Sequence, residues 1–516
     1  MPCVFSFEKT CDRLTGILRA PWALFSIPVL VIIWRLILSS PADPDLFARV
    51  GMGRLVEKLG AVPLQDPFAF TEKLPMWIDH EWLSGVVFYQ IGSYLGDFGL
   101  IFLKLALAAW TCVLVVRASQ LYAPRSPGQL VWLTICLLDA SFLWGSTIRA
   151  QVFTYLFLAI MYLGYVEYQV KGRIRYLLLM PIISVAWINM HGGYALGMLT
   201  LGILTCISYL ERRPWKMLFA TTILCSVALF TTPYGFKVFS QYLLHALTMQ
   251  RPTISEWAPL WSDKDSFLIS TALLGSILLG LISRKQTGPR FIGGLAVILF
   301  SAYCGYRHIR FSGFFSITAA VFGAGYFGSA LDTIKSALGN RSLVMERSLS
   351  LAVSIMVTLC GASVANALIK PSSWRLYYSS YPTQALQWLR ASGISGPQRL
   401  LVDFNNGSFA LWRLHPNFLI SMDGRYEEVY PDDTVRDASN ALLPNTPEGR
   451  DALKIINPTH ILWRTTADLE QLKSSLPSEW YEIYRDSEYT IVTRTPDHPK
   501  PAMPPAQMIT IWDPMF

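Results

Sequence analysis

The chain has 516 residues, 52% of them hydrophobic and 15% charged, with a mean hydropathy of +0.37. Soluble domains usually carry about 25% charged residues, so one soluble globule is excluded. A disordered or nucleic-acid-tracking chain is excluded too, since both need more charge and less apolar surface. The net charge of +8 is unevenly placed: residues 1–370 carry 30 Lys and Arg against 18 Asp and Glu, whereas residues 371–516 carry 13 against 17. The composition describes a polytopic membrane protein with a mildly acidic C-terminal domain.

Residues 1–20 are polar or mixed and no small-residue cleavage site closes the first apolar run that follows, so 21–39 reads as an anchor. A helix crosses a bilayer with about 20 mostly apolar residues. Such runs lie near 21–39, 98–116, 129–146, 151–170, 175–190, 194–210, 216–231, 266–283, 291–305, 311–328 and 349–368, eleven in all. The stretch 82–96 is shorter and is cut by Gly96-Asp97, so we read it as an interfacial helix. With 82–96 not crossing, the inner connections hold 17 Lys and Arg in 69 residues and the outer ones 10 in 95. The positive-inside rule then puts the N-terminus in the cytoplasm and the C-terminal domain outside an inner membrane. The cysteines lie mostly within apolar runs and none falls in the C-terminal domain, which argues against a disulfide framework.

On this topology the chemically interesting residues fall on the outer side: Asp43 and Asp45, Asp79, His80 and Glu81, Arg149 and Gln151, Asn189 and His191, Lys237, Glu256, and Arg307, His308 and Arg310. The inner connections contain no Gly-rich phosphate loop. The first outer loop, 40–81, opens with Asp43-Pro44-Asp45, where Asp45 could cap the following helix. That helix, about 46–59, is amphipathic, and Leu46, Val50, Leu55 and Leu59 are expected on lipid with Arg49, Arg54 and Lys58 towards headgroups.

The loop continues through Gly51, Gly53, Pro63, Asp66-Pro67-Phe68, Thr71, Trp77 and His80-Glu81-Trp82-Leu83. Further along stand Arg149-Ala-Gln151, Trp187-Ile-Asn189-Met-His191-Gly192-Gly193, Thr232-Pro233-Tyr234-Gly235, Glu256-Trp257, Arg307-His308, Asp403-Phe-Asn405-Asn-Gly407 and Asp423-Gly424-Arg425-Tyr426. Together, over about 40–495, these resemble a bacterial group of membrane proteins in the glycosyltransferase C (GT-C) superfamily, related to protein-mannosyltransferase-like and lipid A sugar-transferase-like enzymes. Thr232-Pro233 stands where relatives more often show Asn-Pro.

The resemblance implies sugar transfer from a polyprenyl-phosphate donor to a glycan, lipid or protein hydroxyl, with inversion. It implies that an acid in the first outer loop, Asp45 first and Asp43 second, acts as base or metal ligand. Asp43, Asp45, His80 and Glu81 offer oxygen and nitrogen ligands for a divalent metal such as Mg or Mn. The cations Arg149, Lys237, Arg307, His308 and Arg310 suit a departing phosphate. Each has a structural alternative: a helix cap for Asp45, a turn acid for Asp43, loop ordering for His80 and Glu81, backbone satisfaction for Asn189 and His191, and headgroup anchoring for the arginines. Arg35, Lys104 and Asp139 lie within spans, where helix pairing or snorkelling is expected.

After the last span comes a linker near 371–382 and then a small α/β domain to 495. Helices are expected at 383–391 and 467–475, strands at 399–402, 418–420 and 460–463, and a hairpin at 480–484 and 489–492. Residues 496–516 are Pro-rich and read as an extended tail. The expectation is a polytopic α-helical membrane protein of GT-C type with about eleven transmembrane helices and an extracytoplasmic α/β domain. A flippase or transporter, or a non-catalytic assembly subunit for lipid-linked envelope polysaccharide, is the alternative; a transporter would place functional residues on both faces.

Overall fold

The computed structural model of the chain describes residues 10, 12–18, 20–38, 40–123, 128–144, 147–243, 254–283, 292–339, 341–378, 380–394, 396–495 and 512. The first nine residues, the basic connection 284–290 and the expected tail, apart from Trp512, lie outside these. The chain packs as two compact units: 1–40, 101–231 and 250–375 form the first, and 41–100, 232–249 and 376–516 the second.

Every one of the eleven apolar runs is helical. Among the described residues three helices are long and apolar enough to cross a membrane, Trp82–Tyr122, Lys264–Ile282 and Glu346–Ile369. Two bent pairs raise the number to five if each pair is one span. The shorter apolar helices, such as Arg175–Met190 and Tyr194–Leu210, fall below the length that spans about 30 Å of hydrocarbon unaided. The eleven-span count therefore stays an expectation about topology.

In the first unit, Gln129–Trp144 packs on Ala23–Ile37 and on Ser312–Phe322, while Lys264–Ile282 packs on Ala324–Leu338. A Cβ on Gly280 would come within 2.0 Å of the Tyr326 carbonyl oxygen, so only glycine permits that helix approach. The charged residues inside this unit are paired. Lys104 donates to the Leu36 carbonyl at 3.1 Å and to Ser40 Oγ at 2.9 Å, and Ser316 donates to the Asp139 carboxylate. Glu167, buried at the other end of its helix, draws in Arg173 at 3.3 Å, Arg117 at 3.7 Å and Lys171 at 3.8 Å.

The second unit is built on a five-stranded mixed sheet. Its strands are β1 (Gln398–Leu401), β2 (Phe418–Ile420), β3 (His460–Arg464), β4 (Tyr481–Arg485) and β5 (Tyr489–Thr493), in the order β2-β1-β3-β5-β4. The β2-β1-β3 pairs are parallel and the β3-β5-β4 pairs antiparallel. Helix Phe404–Leu414 makes the crossover from β1 to β2. Beside the β2 edge runs the first loop: Ile420 N–H donates to the Phe68 carbonyl at 2.9 Å, and Phe70 N–H to the Ile420 carbonyl at 3.1 Å. The loop thus adds a rung to the edge, which supplies partners for backbone groups that would otherwise be open.

The loop helix, Pro44–Leu59, does not lie on lipid as its amphipathic pattern suggested. Leu46, Val50 and Leu55 are buried, Phe47 meets Phe409 edge-on at 4.8 Å, and Arg49 is 6% exposed. The apolar stripe faces Phe404–Leu414 instead, a partner about 360 positions away that periodicity cannot name. Only Leu59, at the end of the stripe, is exposed. Helix Trp82–Tyr122 is broken at Gly96, whose φ of 61° and ψ of −153° leave the helical region.

Candidate functional site

Asp43 is the N-cap of the loop helix. Its backbone is extended, Pro44 takes the first helical position, and Asp43 Oδ1 accepts the Asp45 N–H at 2.9 Å. The sequence reading gave the cap to Asp45; the structure gives it to Asp43, which is 1% exposed. The neighbouring backbone is fixed from the C-terminal side: Ala42 N–H donates to the Tyr377 carbonyl at 3.0 Å, and Tyr381 Oη donates to the Ala42 carbonyl at 3.1 Å. Asp45 follows in the first helical turn, half-buried, where the helix dipole favours a carboxylate. Its Oδ1 lies 2.8 Å from where a Cβ on Gly424 would stand.

His80 and Glu81 belong to a buried ion network centred on Arg49. Arg49 Nη1 reaches Asp79 Oδ1 at 2.6 Å, Nε reaches Glu81 Oε2 at 2.7 Å, and Nη2 reaches Glu428 Oε1 at 2.9 Å. His80 Nδ1 is 2.8 Å from Glu428 Oε1 and its Nε2 is 3.4 Å from Glu81 Oε1. Burial alone pushes the imidazole down, but hydrogen bonds to Glu428 and Glu81 outweigh it and raise His80 to about 10. Burial raises Asp79 to about 7, with Arg49 offsetting part of the rise. Burial also works against the charged form of Glu428, yet Arg49 and His80 hold it below the usual carboxylate range. Three acids and two bases are thus nearly balanced away from water, the condition a buried ionic group requires.

A second buried cluster lies in the same unit. Arg425 pairs with Asp66 and with Asp423, its Nε 2.8 Å from Asp423 Oδ2. Its guanidinium lies 4.9 Å from the Trp77 ring centre and 5.1 Å from that of Phe68. Tyr430 Oη donates to Asp423 Oδ1 at 3.1 Å. Asp66, Phe68, Trp77 and Asp423-Gly424-Arg425 therefore owe their place in the motif set to one locked assembly. Sequence reading singled out Asp79 with His80 and Glu81 but missed Arg49 and Glu428 as their partners. The available signal was an ionisable run, Asp79-His80-Glu81, set between apolar Ile78 and Trp82. Lys237 stands exposed after the Thr232–Gly235 turn.

The remaining candidates are in the first unit. Arg149 forms an ion pair with Glu256, which burial would raise but Arg149 and Arg310 hold low. Arg310 lies 4.8 Å over the Trp257 ring, and Gln151 Nε2 donates to the Arg310 carbonyl at 3.4 Å and to Tyr155 Oη at 2.8 Å. His308 Nδ1 donates to the Trp257 carbonyl at 2.6 Å, because a carbonyl can only accept. The structure thus brings Arg149, Gln151, Glu256, His308 and Arg310 together, with Arg307 exposed next to them in sequence.

Asn189 and His191 serve a bend. Asn189 Nδ2 donates to the Val185 carbonyl at 2.8 Å. Gly193 N–H donates to His191 Nδ1 at 2.9 Å, and Thr154 Oγ1, which takes the Trp187 Nε1–H, is 2.8 Å from the same nitrogen. Nδ1 is therefore an acceptor and the proton sits on Nε2. A Cβ on Gly193 would fall 2.5 Å from Thr154 Oγ1, so the bend needs glycine there.

Among the described residues no three His, Cys, Asp or Glu side chains gather to hold a metal ion. Asp43 is buried with an oxygen committed to its cap, and His80 and Glu81 are committed to Arg49 and Glu428. The donor set around Asp43 and Asp45 does not fit a resident Mg or Mn ion.

No protein-family model matches the chain, and no curated protein matches it. Solved structures do. The oligosaccharyltransferase of Archaeoglobus fulgidus in its apo form is similar with a TM-score of 0.52 and 11% identity, over 93% of this chain and 75% of that one. The mycobacterial arabinofuranosyltransferase AftD is similar with a TM-score of 0.51 and 13% identity, over 91% of this chain and 41% of that one. The chain has a GT-C fold. At these identities the likeness establishes the architecture, and the GT-C fold expected from the motifs is the one found.

Proposed function

We propose that this GT-C protein is a membrane glycosyltransferase that moves a sugar from a polyprenyl-phosphate donor to a hydroxyl of a glycan, lipid or protein acceptor. We assign it to the bacterial group whose motifs it resembles, with the cytoplasmic membrane as its location, its N-terminus inside and its α/β domain outside. The observation that carries the reading is Asp45: a half-buried carboxylate at the start of the helix that follows the first apolar run, in a chain of GT-C fold.

In the proposed reaction the acceptor oxygen attacks the anomeric carbon. The bond from that carbon to the phosphate oxygen breaks, and its electron pair leaves with the lipid phosphate. The acceptor proton passes to Asp45 as general base. Asp43 holds the Asp45 backbone through its cap and is the second candidate acid. The departing phosphate gains charge and calls for cations; the arginines put forward as phosphate-binding candidates are Arg149, Arg307 and Arg310, since a guanidinium donates two parallel hydrogen bonds to phosphate. Gln151, Glu256 and His308 fix these arginines and the segment around Trp257; Lys237 is the further exposed cation.

The test uses purified full-length protein with undecaprenyl phosphate carrying radiolabelled mannose, glucose, galactose or arabinose. A membrane extract supplies acceptors. Release of undecaprenyl phosphate matched by label in a non-lipid or newly glycosylated product supports the reading. Movement of the intact lipid-linked sugar across a proteoliposome without cleavage would favour the flippase alternative. Transfer from nucleotide sugars alone would overturn the donor class.

A further inference from the structure

We infer that the basic end of the first unit, where the connections 171–175 and 211–216 meet, binds an anionic phospholipid. Lys171, Arg173, Arg175 and Arg117 hold its phosphate, and its acyl chains lie along the exposed face of helix Arg175–Met190. The inference holds whether or not the protein transfers a sugar.

One buried carboxylate organises the site. Glu167 is 1% exposed; its Oε2 lies 3.3 Å from Arg173 Nη1 and 3.8 Å from Lys171 Nζ, and its Oε1 lies 3.7 Å from Arg117 Nη2. Three cations share a single negative charge, so the group as a whole stays positive, and all three reach the surface. Gln169 Nε2 donates to the Pro214 carbonyl at 2.9 Å and to Ser208 Oγ at 3.1 Å, which ties the second connection to the first. The two connections hold six Lys and Arg against one Glu, Glu211, which lies 3.6 Å from Arg213. Arg212 is exposed at a φ of 55°, so a cation occupies a position whose backbone favours glycine.

What carries the phosphate follows from the adjoining wall. Beyond Arg175 the same helix exposes Leu178, Leu179, Ile182 and Val185 by 61%, 51%, 69% and 39%, a spacing that keeps them on one face. Beside the second connection, exposed Tyr209 meets Trp215 edge-on at 5.1 Å, and such rings favour the headgroup boundary. A free phosphate would leave the apolar wall unused, whereas a phospholipid covers both parts. Basic groups at helix ends attract anionic headgroups in this way. The site is distinct from the Arg149 cluster: Gln151 begins and Lys171 ends one helix of 21 residues, which is about 30 Å long.

The test uses purified full-length protein, immobilised in detergent and titrated with radiolabelled phosphatidylglycerol or phosphatidylcholine. Phosphatidylglycerol is expected to bind on the order of tenfold more tightly, and the preference to fall to within about twofold in Lys171→Gln/Arg173→Gln/Arg175→Gln. Lys454→Gln, which removes an exposed cation of the sheet domain, leaves the preference unchanged. Should the triple variant fail to fold, the wild type decides: a severalfold loss of phosphatidylglycerol between about 0.05 and 0.5 M salt supports the inference, and no loss overturns it. Equal retention of the two lipids, or an unchanged preference in the folded triple variant, would also overturn it. Displacement of phosphatidylglycerol by inorganic phosphate would identify a free-anion site and overturn the lipid assignment.

Discussion

Arg49 and Glu428 meet in a two-pronged ion pair, Nη2 to Oε1 at 2.9 Å and Nη1 to Oε2 at 3.1 Å, across 379 positions of sequence. The pair ties the first loop to the sheet domain inside one folded unit. Around it the network also takes in Asp79, Glu81 and His80, so the geometry of the loop that carries Asp43 and Asp45 depends on residues near the other end of the chain.

Removing Arg49 leaves three buried acids without their main counter-charge. Arg49→Met is expected to destabilise this unit by about 3–5 kcal/mol, the usual cost of breaking a buried pair from one side. Glu428→Gln added to it recovers part of the loss, because one uncompensated charge is removed. Thermal unfolding of the purified protein in detergent measures both; an unchanged midpoint in Arg49→Met would contradict the network's role.

The same network makes stability depend on pH in a definite direction. His80 is raised from its ordinary value near 6.5 to about 10, so the folded form binds this proton more tightly than the unfolded form. Its contribution is complete below about pH 6.5 and is lost as pH rises towards 10. His80→Gln is expected to flatten the fall in unfolding midpoint between these limits. Parallel curves for both proteins would contradict the assignment.

Glycines at the helix crossing should differ sharply in tolerance. A Cβ on Gly53 would meet the Gly85 carbonyl oxygen at 2.3 Å, a backbone atom that cannot step aside, whereas one on Gly51 meets the end of the Leu411 side chain at 2.9 Å. Gly53→Ala is therefore expected to cost about 1–3 kcal/mol, as overpacking does, and Gly51→Ala less. Unfolding midpoints in the order wild type, Gly51→Ala, Gly53→Ala check it; equal midpoints for the two variants would refute it.

The helices of the first unit were legible because apolar runs of fixed length announce themselves: 175–190 and 194–210 begin and end where the sequence put them. The strands of the sheet were legible for the same reason, as β-branched and aromatic runs between turn residues. Their order was not, nor was the rung at Ala69 and Ile420, since pairing across some 350 residues leaves no local mark. The helix Pro44–Leu59 shows the limit most clearly. Its amphipathic stripe is real, but a stripe does not say whether lipid or protein covers it. Arg49 looked like a headgroup anchor because the three carboxylates that bury it come from elsewhere in the chain. Asp43 and Asp45 were found as a pair, and only coordinates could divide them into the cap and the carboxylate beside Gly424.

The central claim is that Asp45 takes the acceptor proton during transfer from a lipid phosphate. The direct measurement is release of undecaprenyl phosphate from its radiolabelled sugar derivative by wild type, Asp45→Asn and Asp433→Asn, each purified folded. Loss of turnover by about two to four orders of magnitude in Asp45→Asn alone, the range expected for a general base, is the predicted result. Equal turnover in all three proteins would contradict the account.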